Sequence, residues 1–410
     1  MSASDIKQPG LGDGRLTESW PRQVSPPLTV AGCQVAILTP PGRGAVATIS
    51  VTGPQATARV ASLFRAAAGR PLGDFPCGRI VFGRWAAAGA AGAAGEEIVV
   101  CRRAADEVEV HCHGGRLAAR TIVDALVAGG AEAIPWQDLA SRRALGRVEA
   151  EARVALAAAR TERTAAILLD QLRGGLRSSL TETLTHLRRG HATEAVTILR
   201  DLEKYAAVGL HLTEPWRVVL TGRPNVGKSS LINAILGFER CIVHAEPGTT
   251  RDVVTAHTAL DGWPVELSDT AGLRDGTDEI EVAGVLRARR QLQQADLVVL
   301  VFDVSAPWTR ANEALLAEWP GAVVAHNKCD LAPPPPPDRP PGLTVSAAAS
   351  LGIDTLVHEL ARRLVPEPPS RGAAMLFTRP QIEAVRATQA ALAAGHDHEA
   401  LSMLTGLLAK

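Results

Sequence analysis

Hydrophobic and polar positions change period several times along this chain. Glu107 to Cys112 (EVEVHC) alternates strictly, the pattern of a half-buried strand. Upstream, VAIL and AVATISV flank a Pro-Pro-Gly-Arg-Gly turn between Gln34 and Val51, which predicts strand, tight loop, strand. Further strands are expected at Gly78 to Gly83 and Glu97 to Cys101, and His113-Gly-Gly115 opens an amphipathic helix from Arg116 to Gly129. From about Leu139 to Ala207 glycine and proline nearly vanish. Apolar residues there recur at helical spacing through Leu145, Leu156, Ile167, Leu168, Leu172, Leu180, Leu184 and Leu187. After Thr213-Glu-Pro-Trp, the short apolar run Arg217 to Thr221 (RVVLT) begins an alternation of strands and helices that lasts to about Val365. Residues 379 to 410 return to helical spacing and are expected to pack on the first helical segment.

These changes of period divide the chain into a mobile tail (1–30), an α+β domain (31–138), a helical segment (139–214), an α/β domain (215–366) and a second helical segment (367–410). The α/β part is expected to be a doubly wound, mostly parallel sheet inserted in the helical domain. The length, 410 residues, leaves room for such an arrangement at ~100 to 200 residues per domain. Lys plus Arg and Asp plus Glu both number 43, so net charge points to no class of partner. The six cysteines are scattered without CxxC pairs, as expected of a reduced, cytoplasmic protein. Neither a membrane span nor a signal-peptide core is present in the sequence. Ala86 to Gly95 and Pro333 to Pro337 are expected to be loop insertions.

The chemistry is concentrated in the α/β part. Gly222-Arg-Pro-Asn-Val-Gly-Lys-Ser229 matches GxxxxGK[ST], a loop whose backbone N–H groups wrap phosphates. It follows an apolar strand and opens a helix, whose N-terminus favours phosphate. The GTP-binding set is Asn225, Val226, Gly227, Lys228, Ser229 and Ser230, with Thr249 and Thr250, Asp269 and Gly272, Asn327, Lys328 and Asp330, and Ser346 and Ala347. Lys228 is expected on the β- and γ-phosphates, and Ser229 and Thr250 on Mg²⁺. Asp330 can accept from N1 and the exocyclic amine of guanine, which adenine cannot match, so GTP is expected over ATP. Position 273, after Gly272, is leucine and cannot orient water; one of Asp275, Asp278, Glu279 or Glu281 could. His111, Cys112 and His113 are ligand types, but strand alternation sends Cys112 away from the two histidines, so they are not expected to converge on a metal.

The segments TPPGRGAVATISVTG, EVHCHGG, GRPNVGKSSLINAILG, PGTTRD and DTAGLRDGTDEIE, in this order, resemble the MnmE (TrmE) family of tRNA modification GTPases. The resemblance implies G domains that pair across the nucleotide face around K⁺, lined here by Asn225, His244, Glu246 and Thr249. It places the water-positioning glutamate at Glu281. It further implies a homodimer through head and G domains, an FAD-containing MnmG-like partner, and modification of the wobble uridine of tRNA at C5, with a reduced folate held in the N-terminal, folate-binding-like domain.

Departures from that pattern fall in the head and at the C-terminus. Glu109 is retained before the histidine-glycine-glycine run, but Ser50 stands where the family has an arginine on the second strand. Arg143 to Glu149 contains no lysine, and the chain ends Leu407-Leu-Ala-Lys410 without the family's cysteine. Weak folate binding is the expectation. The rival expectation is a GTP-gated assembly or RNA-binding switch, closer in use to Der and Era and without folate chemistry.

Overall fold

The computed structural model describes residues 32–40, 44–86, 95–238, 255–269, 289–331 and 339–409, in two compact units, Met1–Arg143 and Ala144–Lys410.

In the first unit, β1 (Gln34–Ile37) and β2 (Val46–Thr52) pair antiparallel, as the two apolar runs predict. After helix α1 (Ala56–Leu63) come β3 (Phe64–Ala66), β4 (Ile80–Trp85), β5 (Glu96–Ala104) and β6 (Glu107–His113). Helix α2 (Arg116–Ala128), β7 (Glu132–Ala133) and α3 (Trp136–Arg143) complete the unit. The sheet runs β3-β4-β5-β6-β2-β1-β7. Alternation on β6 is carried through into packing: Val108, Val110 and Cys112 are buried, with Ile49 and Val51 of β2 and Ile122 and Leu126 of α2 in the same core. The opposite face of this sheet is polar in its centre, with Ser50 and Thr48 of β2 beside Glu109 and His111 of β6.

The second unit begins with α4 (Arg147–Ala158), α5 (Glu162–Leu172), α6 (Gly175–Arg188), α7 (Ala192–Lys204) and α8 (Ala206–Leu210). Leu168, Leu180, Leu184 and Leu187 are buried as their spacing predicts, but Leu145 is 60% exposed. It lies before the N-cap Gly146 rather than inside a helix, and its N–H is taken by Glu149 Oε2 at 2.9 Å. The helices Arg379–Ala393 and Asp397–Leu408 pack against α7, α6 and α4. Buried glutamines seat the returning chain: Gln171 donates to Ala373 O (2.9 Å) and accepts from Met375 N (3.1 Å), and Gln381 accepts from Phe377 N (2.9 Å). Gly209 admits this strap, since a Cβ there would lie 1.7 Å from Leu376 O.

Between the two helical stretches lies a six-stranded sheet in the order β13-β12-β11-β8-β10-β9. Its strands are β8 (Trp216–Thr221), β9 (Thr255–Leu260), β10 (Trp263–Asp269), β11 (Leu297–Asp303), β12 (Val323–Asn327) and β13 (Leu343–Thr344). Among the described residues only β9 pairs antiparallel, so the sheet is mostly parallel, and its central strands read as continuous buried runs such as Val218 to Leu220 and Val298 to Phe302. The β9–β10 turn, Asp261-Gly262, has positive φ at both residues (49° and 77°), the conformation of a two-residue hairpin. It rests on α5: the N-cap Thr161 donates to Gly262 O at 2.7 Å, and Arg163 pairs with Asp261 and lies over the Trp263 ring. Among the described residues no helix is long and apolar enough to cross a membrane.

Candidate guanine-nucleotide site

Parallel pairing puts the C-terminal ends of β8, β10, β11 and β12 side by side, which is where ligands collect on doubly wound sheets. The loop leaving β8 turns through residues in the left-handed region: Gly222 (φ 152°), Asn225 (φ 65°) and Gly227 (φ 91°). A Cβ on Gly222 would lie 2.3 Å from Val301 O, and one on Gly227 would lie 2.4 Å from Asn327 Nδ2, so side chains are excluded at both. Asparagine is among the residues that tolerate the conformation seen at Asn225.

The loop delivers Lys228 to the first position of helix α9 (Lys228–Phe238), 4% exposed. Its Nζ donates to Gly222 O (3.2 Å) and Arg223 O (3.1 Å) and lies 4.0 Å from Asp269 Oδ1. A buried ammonium held by carbonyls within reach of a carboxylate is the charge balance that such burial requires. Ser229 Oγ donates to Asp269 Oδ2 at 2.5 Å, and Ser230 follows on the exposed first turn. Ser229 and Asp269 thus form a pair of hard oxygen donors at the strand ends, a set that suits Mg²⁺.

The base side is equally assembled. Asn327, 1% exposed at the end of β12, donates from Nδ2 to Val226 O (2.9 Å) and accepts at Oδ1 from Ala347 N (3.1 Å). It therefore bolts the phosphate loop to both base loops. Lys328, itself at φ 67°, donates to Asn225 O (2.8 Å) and Asp303 Oδ2 (2.6 Å). Asp330 Oδ1 accepts from the buried Ser346 Oγ at 2.5 Å, which fixes the carboxylate beside the final loop. Asn225, Val226, Gly227, Lys228, Ser229, Asp269, Asn327, Lys328, Asp330, Ser346 and Ala347 lie together at these strand ends. His244, Glu246, Thr249, Thr250, Gly272 and Glu281 lie outside the described residues.

Two residues were not anticipated. Asp303 anchors Lys328, and although burial opposes its ionisation, hydrogen bonds from Lys328 and Ser305 outweigh this and hold its carboxyl below the usual range. Arg339 donates to the carbonyls of Asp303 (3.0 Å) and Ala306 (2.5 Å), closing the rim. The available signal for Asp303 was its place at the end of the apolar strand LVVLVFD, as Asp269 ends VELSD.

In the first unit, Glu109 of β6 sits opposite Ser50 of β2, with the Arg103 guanidinium (3.8 Å) and the His111 ring (3.7 Å) near its carboxylate. Arg143 brings a guanidinium to Ser50: Nη2 donates to Ser50 Oγ (3.1 Å) and to Glu107 Oε1 (2.9 Å). The chain's return through α3 brings this guanidinium to a strand position that itself carries serine. Cys112 is buried on the other face, where burial and Glu96 push its thiol up, while His111 meets Thr48 and His113 meets Glu96.

A family model described as 50S ribosome-binding GTPase matches residues 217–328, from β8 through Lys328. The chain is 36% identical to the tRNA modification GTPase MnmE of Chloroflexus aurantiacus, covering 90% of this chain and 92% of that one. The chain belongs to the MnmE family. MnmE of Geobacillus kaustophilus is 35% identical over 72% of each chain. Among solved structures, Aquifex aeolicus Era bound to GDP and aluminium fluoride is 23% identical, covering 43% of this chain and 66% of that one with a TM-score of 0.29, an overlap too small to add to the assignment. Family membership and the assembled pocket together make the chain a GTP-hydrolysing enzyme.

Proposed function

We propose that this MnmE-family GTPase uses potassium-dependent GTP hydrolysis to drive modification of the wobble uridine of tRNA at C5. The observation that carries the reading is the staple made by Asn327 between Val226 and Ala347, which preassembles phosphate and base subsites in one pocket. The named function of the Chloroflexus aurantiacus relative, covered over nine tenths of its length, supports the tRNA half. Mg²⁺ would be held by Ser229 and Thr250, and would offset charge on the phosphates when bound. K⁺ would be lined by Asn225, whose side chain is exposed at the loop, with His244, Glu246 and Thr249. Glu281 positions the attacking water in this reading, because Leu273 offers no polar side-chain atom.

The domain arrangement proposed is a G domain (215–366) inserted in a helical domain (139–214 and 367–410), behind an N-terminal folate-binding-like domain (31–138). Packing of the C-terminal helices on α4, α6 and α7 supports the insertion. A homodimer through head and G domains is supported in the head by exposed Val46, Ile80 and Phe82, apolar side chains that a partner surface would cover. The partners proposed are tRNA and an FAD-containing MnmG-like protein.

A second reading, a Der- or Era-like GTP-gated switch without folate chemistry, is favoured by one observation. The guanidinium of Arg143 is already neutralised by Glu107 and so is not a free cation for a folate carboxylate.

GTP hydrolysis in potassium and in sodium chloride, over a range of protein concentrations, tests the proposal. Turnover should be faster in potassium and rise with concentration; equal turnover in both salts at every concentration contradicts it.

A further inference from the structure

The first helical stretch carries a polar groove that the nucleotide site does not use. It runs along one face of α6, from Arg173 just before the helix to Arg189 just after it. Arg173, Arg177 and Arg189 line it, and all three are exposed. Among the described residues none of their guanidinium groups has a hydrogen-bond or ion-pair partner, so all three are available to an anion, and here, unlike at Arg160, Arg310 and Arg371, they share one groove. Glu182 is the single acid in the lining.

Three further features restrict what could occupy this groove. Thr181 and Thr185 donate their hydroxyl hydrogens back to Arg177 O and Thr181 O (2.8 Å each), so these two hydroxyls are not free donors and the cationic donors of the groove are the guanidinium groups. No large apolar residue lines the groove, whereas the core of a protein interface and a helix lying in a lipid surface both need one. From Arg177 to Arg189 the helix rises roughly 18 Å, so the charges are spread along a line rather than gathered on one point. A line of unpaired guanidinium groups on a polar face is complementary to a polyanion of repeating phosphates.

We infer that this face of α6 is a docking surface for the phosphate backbone of RNA. The inference rests on the proposed tRNA function and gives it a location. Contacts of this kind fix position and carry no sequence information, so the surface would orient tRNA while other groups read it.

The test uses the full chain and a fluorescent tRNA transcript, titrated at several salt concentrations from about 50 to 200 mM. The triple variant Arg173→Ala, Arg177→Ala, Arg189→Ala should bind at least roughly tenfold more weakly at low salt. Its log–log salt slope should flatten by about 2 to 3, near one unit per lost phosphate contact. Lysine at the same three positions should restore the slope. A control triple, Arg160→Ala, Arg310→Ala, Arg371→Ala, removes the same charge from exposed sites elsewhere and should leave the slope nearly intact. GTP turnover without tRNA should be unchanged in all, since none of these residues touches the nucleotide pocket.

Wild-type binding that the first triple does not alter overturns the inference and leaves the tRNA function standing. Failure of the wild type to bind tRNA with either GDP or a GTP analogue overturns both. Loss of binding to vesicles of anionic phospholipid, with tRNA binding unaltered, assigns the face to a membrane instead and also overturns it.

Discussion

Lys328 Nζ and Asp303 Oδ2 lie 2.6 Å apart, an ion pair that holds the base-reading loop against the end of β11. Lys328 spends its remaining reach on Asn225 O, so the same side chain also braces the phosphate loop. Truncating Asp303 removes the restraint at its origin. Asp303→Ala is expected to weaken GTP affinity by roughly 5- to 30-fold, or about 1 to 2 kcal/mol, the scale of a hydrogen bond to a charged group. Because the folded carboxyl titrates below its usual range, the pair's stabilisation is complete above the unfolded pKa of about 3.9 and is lost as pH falls through the lower folded value. Melting curves of wild type and variant should therefore keep a constant gap from pH 7 to 5 and converge in stronger acid. Unaltered nucleotide affinity in the variant rules the role out.

Asp330 presents a fixed acceptor beside Ser346. Asp330→Asn replaces an acceptor with a donor, so preference should move from guanine toward xanthine nucleotides. Competition titration reads this, with wild type expected to reject ATP. Equal affinity of the wild type for ATP and GTP contradicts the specificity.

Much of this site was legible because its chemistry is local. The phosphate loop lies within eight consecutive residues, and Asp269 and Asn327 each end an apolar strand, so motif and period mark them independently. Asp303 escaped because a strand-end carboxylate is common and its partner lies 25 positions away. Arg143 escaped for the same reason at a separation of 93 positions from Ser50. Strands β3 and β7, three and two residues long, are too short for alternation to register. Leu145 looked like a core position because periodicity does not reveal on which side of a helix cap a residue falls.

Glu281→Ala is expected to lower GTP turnover by about 10²-fold or more, the range for groups that position or deprotonate water, with little change in nucleotide affinity. Asp278→Ala, in the same acidic stretch, serves as the control and should turn over normally. Identical behaviour of the two variants removes Glu281 from the mechanism.

Reduced folate should bind the head weakly or not at all. A folate carries carboxylates on its glutamyl tail, and these need fixed donors to offset desolvation. Arg143 is committed to Glu107 and Ser50, and Glu109 can contact only an amino edge. Calorimetric titration with 5-formyltetrahydrofolate measures this directly. Low-micromolar affinity contradicts the expectation and shows that Arg143 exchanges Glu107 for the ligand.

The most direct test of the central claim is mass spectrometry of wobble uridines in tRNA from a strain lacking this gene, complemented with wild type or with Lys228→Ala. The expected result is that C5-modified uridine disappears in the deletion, returns with wild type and fails to return with Lys228→Ala. An unchanged set of wobble nucleosides in all three strains contradicts a role for this GTPase in tRNA modification.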